Sequence, residues 1–91
     1  MKQQFRKDLD NPDVWMFAMS MQATMRKHQK KKGDSWKDCD IVYLENKLVE
    51  EIEEYQKDYE PHELVDIANM CMMLWNRKMW KLAEQTAIHS E

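Results

Sequence analysis

The stretch IVYLENKLVEEIEEYQKDY, residues 41–59, decides the fold. Apolar residues recur along it at steps of three or four positions, which is the period of one face of an α-helix. The positions are Ile41, Leu44, Leu48, Ile52, Tyr55 and Tyr59. Because the steps alternate as they do along a coiled-coil seam, this helix is expected to pack against a helical partner.

The segment after Glu60-Pro61 predicts that partner, a helix over about 61–87 that begins at Pro61. Its first half, ELVDIANMCMMLW at 63–75, is apolar around most of its circumference. A helix of this kind is buried on nearly all sides. Two other helices of a 91-residue chain cannot cover it fully, so the sequence favours a homo-oligomer.

A further helix precedes the seam, over about 12–32. Asn11 is suited to cap it, with Pro12 at its first position, and Gly33 is suited to end it after a run of cations. Ser35 followed by Asp38 resembles a capping box, which predicts that the seam helix spans about 36–59. The polar segment 1–10 is expected to become ordered only on a partner surface.

The scarcity of turn residues supports an all-α fold. The 91 residues, enough for a single domain over 1–91, include one Gly and two Pro. Glycine-rich phosphate loops need several glycines in a short span, and β-sandwiches need frequent turn signals. The predicted architecture is therefore all-α: a three-helix protomer in which the second and third helices form a helical hairpin.

Several other classes of protein are disfavoured. The longest nearly unbroken apolar stretch, 67–75, has nine residues, against the roughly 20 needed to span a bilayer. The opening residues carry no apolar core of a signal peptide, and the two cysteines lack zinc-site spacing. With 14 basic and 17 acidic residues the formal charge is −3, which argues against nucleic-acid binding. We expect a cytoplasmic protein with reduced cysteines, Cys71 lying in its core.

Carboxylates cluster where the two hairpin helices would face each other. On a helical wheel Glu51 and Glu54 flank the seam, whereas Glu50 and Glu53 point away from it. In an antiparallel hairpin the first two would face Glu63 and Asp66. Four carboxylates tolerate such proximity around a cation, and all-oxygen ligands on helices suit Mg²⁺ or Mn²⁺.

Two alternatives to a magnesium site arise from the same residues. A di-iron site is disfavoured, since it would need Glu-x-x-His and that spacing is absent. A glutamate-rich face is often merely solvated, and Glu63 in the first turn of a helix also suits the helix dipole.

KLVEEIEE at 47–54, followed by ELVDIANMCMML at 63–74, resembles the MazG-like all-α nucleoside triphosphate pyrophosphohydrolases over about residues 14–78. The resemblance implies homodimers or tetramers built from four-helix bundles. It implies Mg²⁺-dependent cleavage between the α- and β-phosphates, which yields a nucleoside monophosphate and pyrophosphate. It assigns the metal to Glu51, Glu54, Glu63 and Asp66, and catalysis to Glu50, Glu51 and Glu54. The connection 55–62 is shorter than the family's usual spacing.

Five further residues are candidate nucleotide contacts. Asn69 matches a position similar to a sugar- or phosphate-contacting Asn of related sequences. Lys47 is either a phosphate contact or an ion-pair partner of Glu51. Lys32 and Trp36 flank the Gly33 turn and could offer charge and a stacking face, or simply end a helix and pack. Arg77 is a candidate phosphate clamp.

Two functions therefore remain open. One is a MazG-like pyrophosphohydrolase acting on nucleoside triphosphates. The other is a non-catalytic helical oligomer that acts as a nucleotide-sensing or regulatory binding module. No membrane or nucleic-acid partner is expected for either.

Overall fold

Three α-helices make up the part of the chain that the structure describes. The computed structural model describes residues 11–89, with side chains for 11–86, and the polar segment 1–10 lies outside the described residues. Helix α1 spans Pro12–Lys32, α2 spans Ile41–Asp58 and α3 spans Pro61–His89, with a 3-10 turn at Ser35–Lys37 between the first two. Because no strand occurs in 11–89, the all-α prediction is confirmed.

The ends of α1 follow the sequence signals. The Asn11 side chain accepts hydrogen bonds from the backbone N–H groups of Asp13 at 2.9 Å and Val14 at 3.2 Å. Pro12 occupies the first helical position, where its missing N–H leaves no bond unmade. At the other end Gly33 adopts φ 61°, a backbone conformation that favours glycine.

Helix α2 begins at Ile41, five residues later than the Ser35–Asp38 pattern predicts. Asp40 is the capping residue, and its carboxylate accepts the Val42 N–H at 2.9 Å. Ser35 instead opens the 3-10 turn, and its carbonyl accepts the N–H groups of Asp38 and Cys39. Both sites carry an N-cap residue type, and the regular helix starts at the second.

Helix α3 begins with half of a capping box. Glu63 Oε1 accepts the backbone N–H of Glu60 at 3.2 Å, which satisfies one of the donors at the helix start. The preceding helix ends at Asp58 because Tyr59 adopts a left-handed conformation with φ 54°. The connection between α2 and α3 is therefore two residues, Tyr59 and Glu60.

A small apolar core joins α2 to α3. Leu44 is 2% exposed and packs with Met70 and Leu74 of α3. Polar residues of the two helices meet on either side of this cluster. Glu45 forms an ion pair with Lys78, at 3.7 Å between Oε2 and Nζ. Glu51 lies near Asp66. Since later residues of α2 meet earlier residues of α3, the two helices run in opposite directions.

Part of the predicted seam lies outside this core. Ile52 and Tyr59 are 38% and 68% exposed. Cys71, predicted to be a core residue, is exposed. Several large apolar side chains of α3 are also exposed, namely Leu64, Trp75, Met79, Trp80 and Leu82. Among residues 11–89, none of the helices combines the length and hydropathy that crossing a lipid bilayer requires.

Candidate functional site

A pocket of about 210 Å³ lies where the end of α1, the 3-10 turn, α2 and α3 meet. Its walls combine methionine and aromatic side chains with a few charged ones. Six of the residues predicted for the site line it: Lys32, Trp36, Lys47, Glu51, Asp66 and Asn69. The pocket thus brings residues from four separate segments of the chain to one place.

Glu51 is a half-buried acid of this pocket, and its Oε2 atom is buried without a hydrogen-bond partner. Burial, reinforced by the carboxylates of Glu54 and Asp66, raises the pKa of Glu51 above its usual value, and Lys47 opposes the shift. Like charges are thus held close together in a partly desolvated place. Such an arrangement is stabilised either by a proton or by a cation.

The other predicted acids are placed differently from one another. Asp66 lines the pocket together with Glu51. Glu54 is exposed and does not line the pocket. Glu63 is 5% exposed, with Oε1 on the Glu60 N–H at its own helix start. Glu50 is exposed, in keeping with the helical wheel, and forms an ion pair with Lys47.

Lys47 forms its ion pair with Glu50, at 3.4 Å between Nζ and Oε2, rather than with Glu51. Burial acts to lower the pKa of Lys47, but its hydrogen bond to Glu50 and the surrounding negative charge raise it on balance. Lys47 is therefore a cation under ordinary conditions. Together with Lys32, which is exposed at the end of α1, it supplies positive charge to the same pocket as the acids.

Trp36 forms one aromatic wall of the pocket. Its ring stacks on Trp80 with centroids 5.6 Å apart and planes 25° from parallel. Its backbone carbonyl accepts a hydrogen bond from Arg77 at 2.9 Å, and the same guanidinium nitrogen lies 3.9 Å from Cys39 Sγ. Arg77 thus links the 3-10 turn to α3 by a hydrogen bond. It does not line the pocket.

Asn69 connects α3 to α1 and also lines the pocket. It is 4% exposed, and its Nδ2 donates to the Met21 carbonyl at 3.2 Å. Its Oδ1 is buried with no partner, as is Trp36 Nε1. In the part of the chain that the structure describes, the buried side-chain polar atoms left without partners belong to Trp36, Glu51 and Asn69, three residues of this one pocket.

Sequence reasoning did not identify several lining residues. Tyr43 lies one helical turn before Lys47 and two before Glu51, so its spacing on α2 could have indicated it. Met25, Met70 and Met73 form the apolar lining. Their helical spacing predicts core positions, and nothing in it distinguishes a pocket wall from a filled core.

The acids fit a divalent cation only in part. Within the described residues no three His, Cys, Asp or Glu side chains converge closely enough to hold a metal ion. Mg²⁺ generally binds through one or two carboxylates together with waters and substrate phosphates. Glu51 and Asp66 supply that number of carboxylates, and the unpartnered Glu51 oxygen is available as a ligand.

Comparisons of this chain with known protein families, with curated proteins and with solved structures find no match.

Proposed function

We propose that this protein is a Mg²⁺-dependent nucleoside triphosphate pyrophosphohydrolase, which cleaves between the α- and β-phosphates to release a nucleoside monophosphate and pyrophosphate. The observation that carries the proposal is the unpartnered, buried Oε2 of Glu51, beside Asp66 and Glu54 in a pocket that also contains lysines and a tryptophan. Acids alone would suit a cation. Acids, lysines and an aromatic wall together suit a cation that carries a nucleotide.

Glu51 and Asp66 are the proposed cation ligands, with Mn²⁺ as a possible substitute for Mg²⁺. A bound cation would supply charge neutralisation on the phosphates and a more acidic water. Glu63, the fourth acid of the MazG-like resemblance, would have to leave the Glu60 N–H to take part. We therefore assign Glu63 to the start of α3.

The remaining polar residues would orient the substrate. Lys47 and Lys32 provide positive charge for the phosphate chain, and Glu50 holds Lys47 in place through its ion pair. Glu54 lies near enough to Glu51 to affect its titration, yet it does not line the pocket. This position suits a proton acceptor for the attacking water, since general bases act within hydrogen-bond reach of their target or through one further water.

We further propose that the protein assembles as a homodimer or homotetramer, in which hairpins of α2 and α3 pair into four-helix bundles. Support comes from an exposed apolar stripe along α3. Its members recur at steps of seven, four and seven residues and are Leu64, Cys71, Trp75 and Leu82. Trp75 alone is 61% exposed. Exposed apolar side chains that recur along one face of a helix in this way are typical of an interface between proteins.

The test is a cation-dependent assay on matched variants. The protein is incubated with each common ribo- and deoxyribonucleoside triphosphate, with and without Mg²⁺, and pyrophosphate is measured. We expect release only with Mg²⁺, loss of activity in Glu51→Gln and Asp66→Asn, and retention in Glu53→Gln, an exposed acid of the same helix. Glu54→Gln should retain Mg²⁺-dependent thermal stabilisation while losing turnover. Full activity in Glu51→Gln would refute the assignment.

A second candidate is a non-catalytic, nucleotide-binding oligomer. The observation in its favour is that Glu63 is engaged at its own helix start and that, among the described residues, three acids do not converge. It predicts nucleotide binding without turnover. If every triphosphate shifts the melting temperature but none yields pyrophosphate, this second function replaces the first.

A further inference from the structure

Asn69 carries a hydrogen-bond acceptor that the fold leaves unused. Its Nδ2 is committed to the Met21 carbonyl, which fixes the amide so that Oδ1 is the unbonded end. Connecting α1 to α3 requires only the Nδ2 bond. A buried acceptor without a partner destabilises the folded state, and such groups in folded proteins call for a specific explanation.

The chemistry of this atom restricts what it can contact. A phosphate oxygen is itself an acceptor, so it cannot partner Oδ1; it could be reached only by the second N–H of Nδ2, whose other N–H donates to the Met21 carbonyl. The partner of Oδ1 is therefore an N–H or O–H donor. The resemblance to sugar- or phosphate-contacting asparagines allows a sugar hydroxyl, so the surroundings of the residue must distinguish a sugar from a base.

The surroundings of Asn69 favour a ring. The same pocket is lined by Met25, Met70, Met73 and the Trp36 indole. Its volume of about 210 Å³ exceeds the roughly 150 Å³ of a cavity that takes up benzene. Trp36 Nε1 adds an unpartnered donor. A flat heteroaromatic ring offering an N–H and a ring acceptor complements these groups better than a sugar does.

We infer that Asn69 is a specificity-determining residue whose Oδ1 accepts an N–H from the nucleobase that fills this pocket. The inference rests on the proposed function for the identity of its ligand, a nucleotide, but it does not require hydrolysis. The N–H can come from an exocyclic amino group, as in cytosine, or from a ring imide, as in uracil. Both sources share the same donor chemistry.

The test uses the full chain and nucleosides without phosphates, in the presence of a chelator, with binding followed by calorimetry. Cytidine is compared with N4,N4-dimethylcytidine, and uridine with 3-methyluridine, since each methylated analogue lacks the donor. For at least one pair we expect methylation to weaken binding by about tenfold or more, the effect of losing one buried hydrogen bond. The pair affected identifies the donor.

Protein variants complete a thermodynamic cycle. In Asn69→Leu, methylation of the nucleoside should have no further effect, because the acceptor is gone. Asn76→Leu is the matched control, since the Asn76 amide bonds only the Met72 carbonyl of its own helix. It should keep the full methylation effect. Circular dichroism checks that each variant folds, and the comparison of ligands on the unaltered chain stands even if Asn69→Leu does not.

Three results would overturn the inference. Equal affinity for methylated and unmethylated nucleosides would show that Oδ1 does not accept an N–H from the base. If the 2′,3′-dideoxynucleosides, measured in the same way, bind more weakly while methylation of the base has no effect, Oδ1 contacts the sugar instead. Failure of both cytidine and uridine to bind would remove both named sources of the N–H, and the inference with them. Nucleoside binding with the expected selectivity but without triphosphate turnover would uphold this inference and refute the proposed hydrolysis.

Discussion

Replacing Glu51 by Gln should make the protein more stable at neutral pH, although the substitution adds no contact. The reason is that burial, together with the neighbouring carboxylates of Glu54 and Asp66, disfavours the charged form of Glu51. A neutral amide of the same shape no longer has to be desolvated as an anion beside two others. If Glu51 served only to stabilise the fold, the same substitution would lower the stability of the protein.

The size of the effect follows from the helix geometry. Glu51 and Glu54 are three positions apart on α2, which places their Cβ atoms roughly 5–6 Å from each other. At a comparable separation of their carboxylates, two unit charges repel by about 0.7 kcal/mol in water and by about 3 kcal/mol at an effective dielectric constant of about 20. Because Glu51 is only half-buried and Glu54 is exposed, solvent screens much of this, and we expect a gain of about 1 kcal/mol.

The pH dependence gives a second signature. The pKa of Glu51 is raised above its usual 4.5, so between the two values the folded chain holds more protons than the unfolded one. Stability therefore falls as pH rises through this window, and the penalty is complete above the folded-state pKa. The advantage of Glu51→Gln should be largest at pH 8 and should vanish near pH 4.

Thermal unfolding followed by circular dichroism measures this directly. A gain of 1 kcal/mol raises Tm by about 4–8 °C in a domain of this size. Glu53→Gln, an exposed acid on the same helix, is the control and should change Tm little. The reasoning fails if Glu51→Gln lowers Tm at pH 8, or if it raises Tm no more than the control does.

Three further substitutions test the fold and the assembly. Leu44→Ala should cost about 2–5 kcal/mol of unfolding free energy in urea titrations, because this side chain is 2% exposed at the centre of the core; a loss below 1 kcal/mol would contradict that packing. Arg77→Leu should lower the unfolding free energy by about 1–3 kcal/mol and shift the NMR resonance of the Trp36 indole N–H, because the Trp36 carbonyl loses its hydrogen bond. With Trp15 as reference, an unshifted Trp36 signal would contradict the role of Arg77 in holding the turn. Trp75→Glu should convert the proposed oligomer to a monomer in light scattering while preserving helicity, and an unchanged mass would exclude the α3 stripe as the interface.

The helices could be predicted from the sequence where the signals are local. Asn11, Pro12 and Gly33 mark the ends of α1 because capping depends on a few adjacent residues. The start of α2 was harder, since Ser35 and Asp40 are both suitable N-caps and lie five residues apart. The turn between them is hydrogen-bonded to Arg77, 41 positions along the chain from Trp36, and local sequence signals do not contain such a contact.

The candidate site was predictable in part for the same reason. The wheel separates Glu51 from Glu50 because both lie on one regular helix. It could not assign Glu63, whose carboxylate turns back to the Glu60 N–H. It could not reveal that Asn69 would be half-satisfied by Met21, because that bond joins residues 48 positions apart.

The most direct test of the central claim identifies the products. A nucleoside triphosphate is incubated with the protein and Mg²⁺, and the phosphorus resonances are followed by NMR. The account predicts that a nucleoside monophosphate and pyrophosphate appear in equal amounts, that a chelator stops the reaction, and that Asp66→Asn abolishes it. Release of a nucleoside diphosphate and inorganic phosphate, or no turnover of any triphosphate, would contradict it.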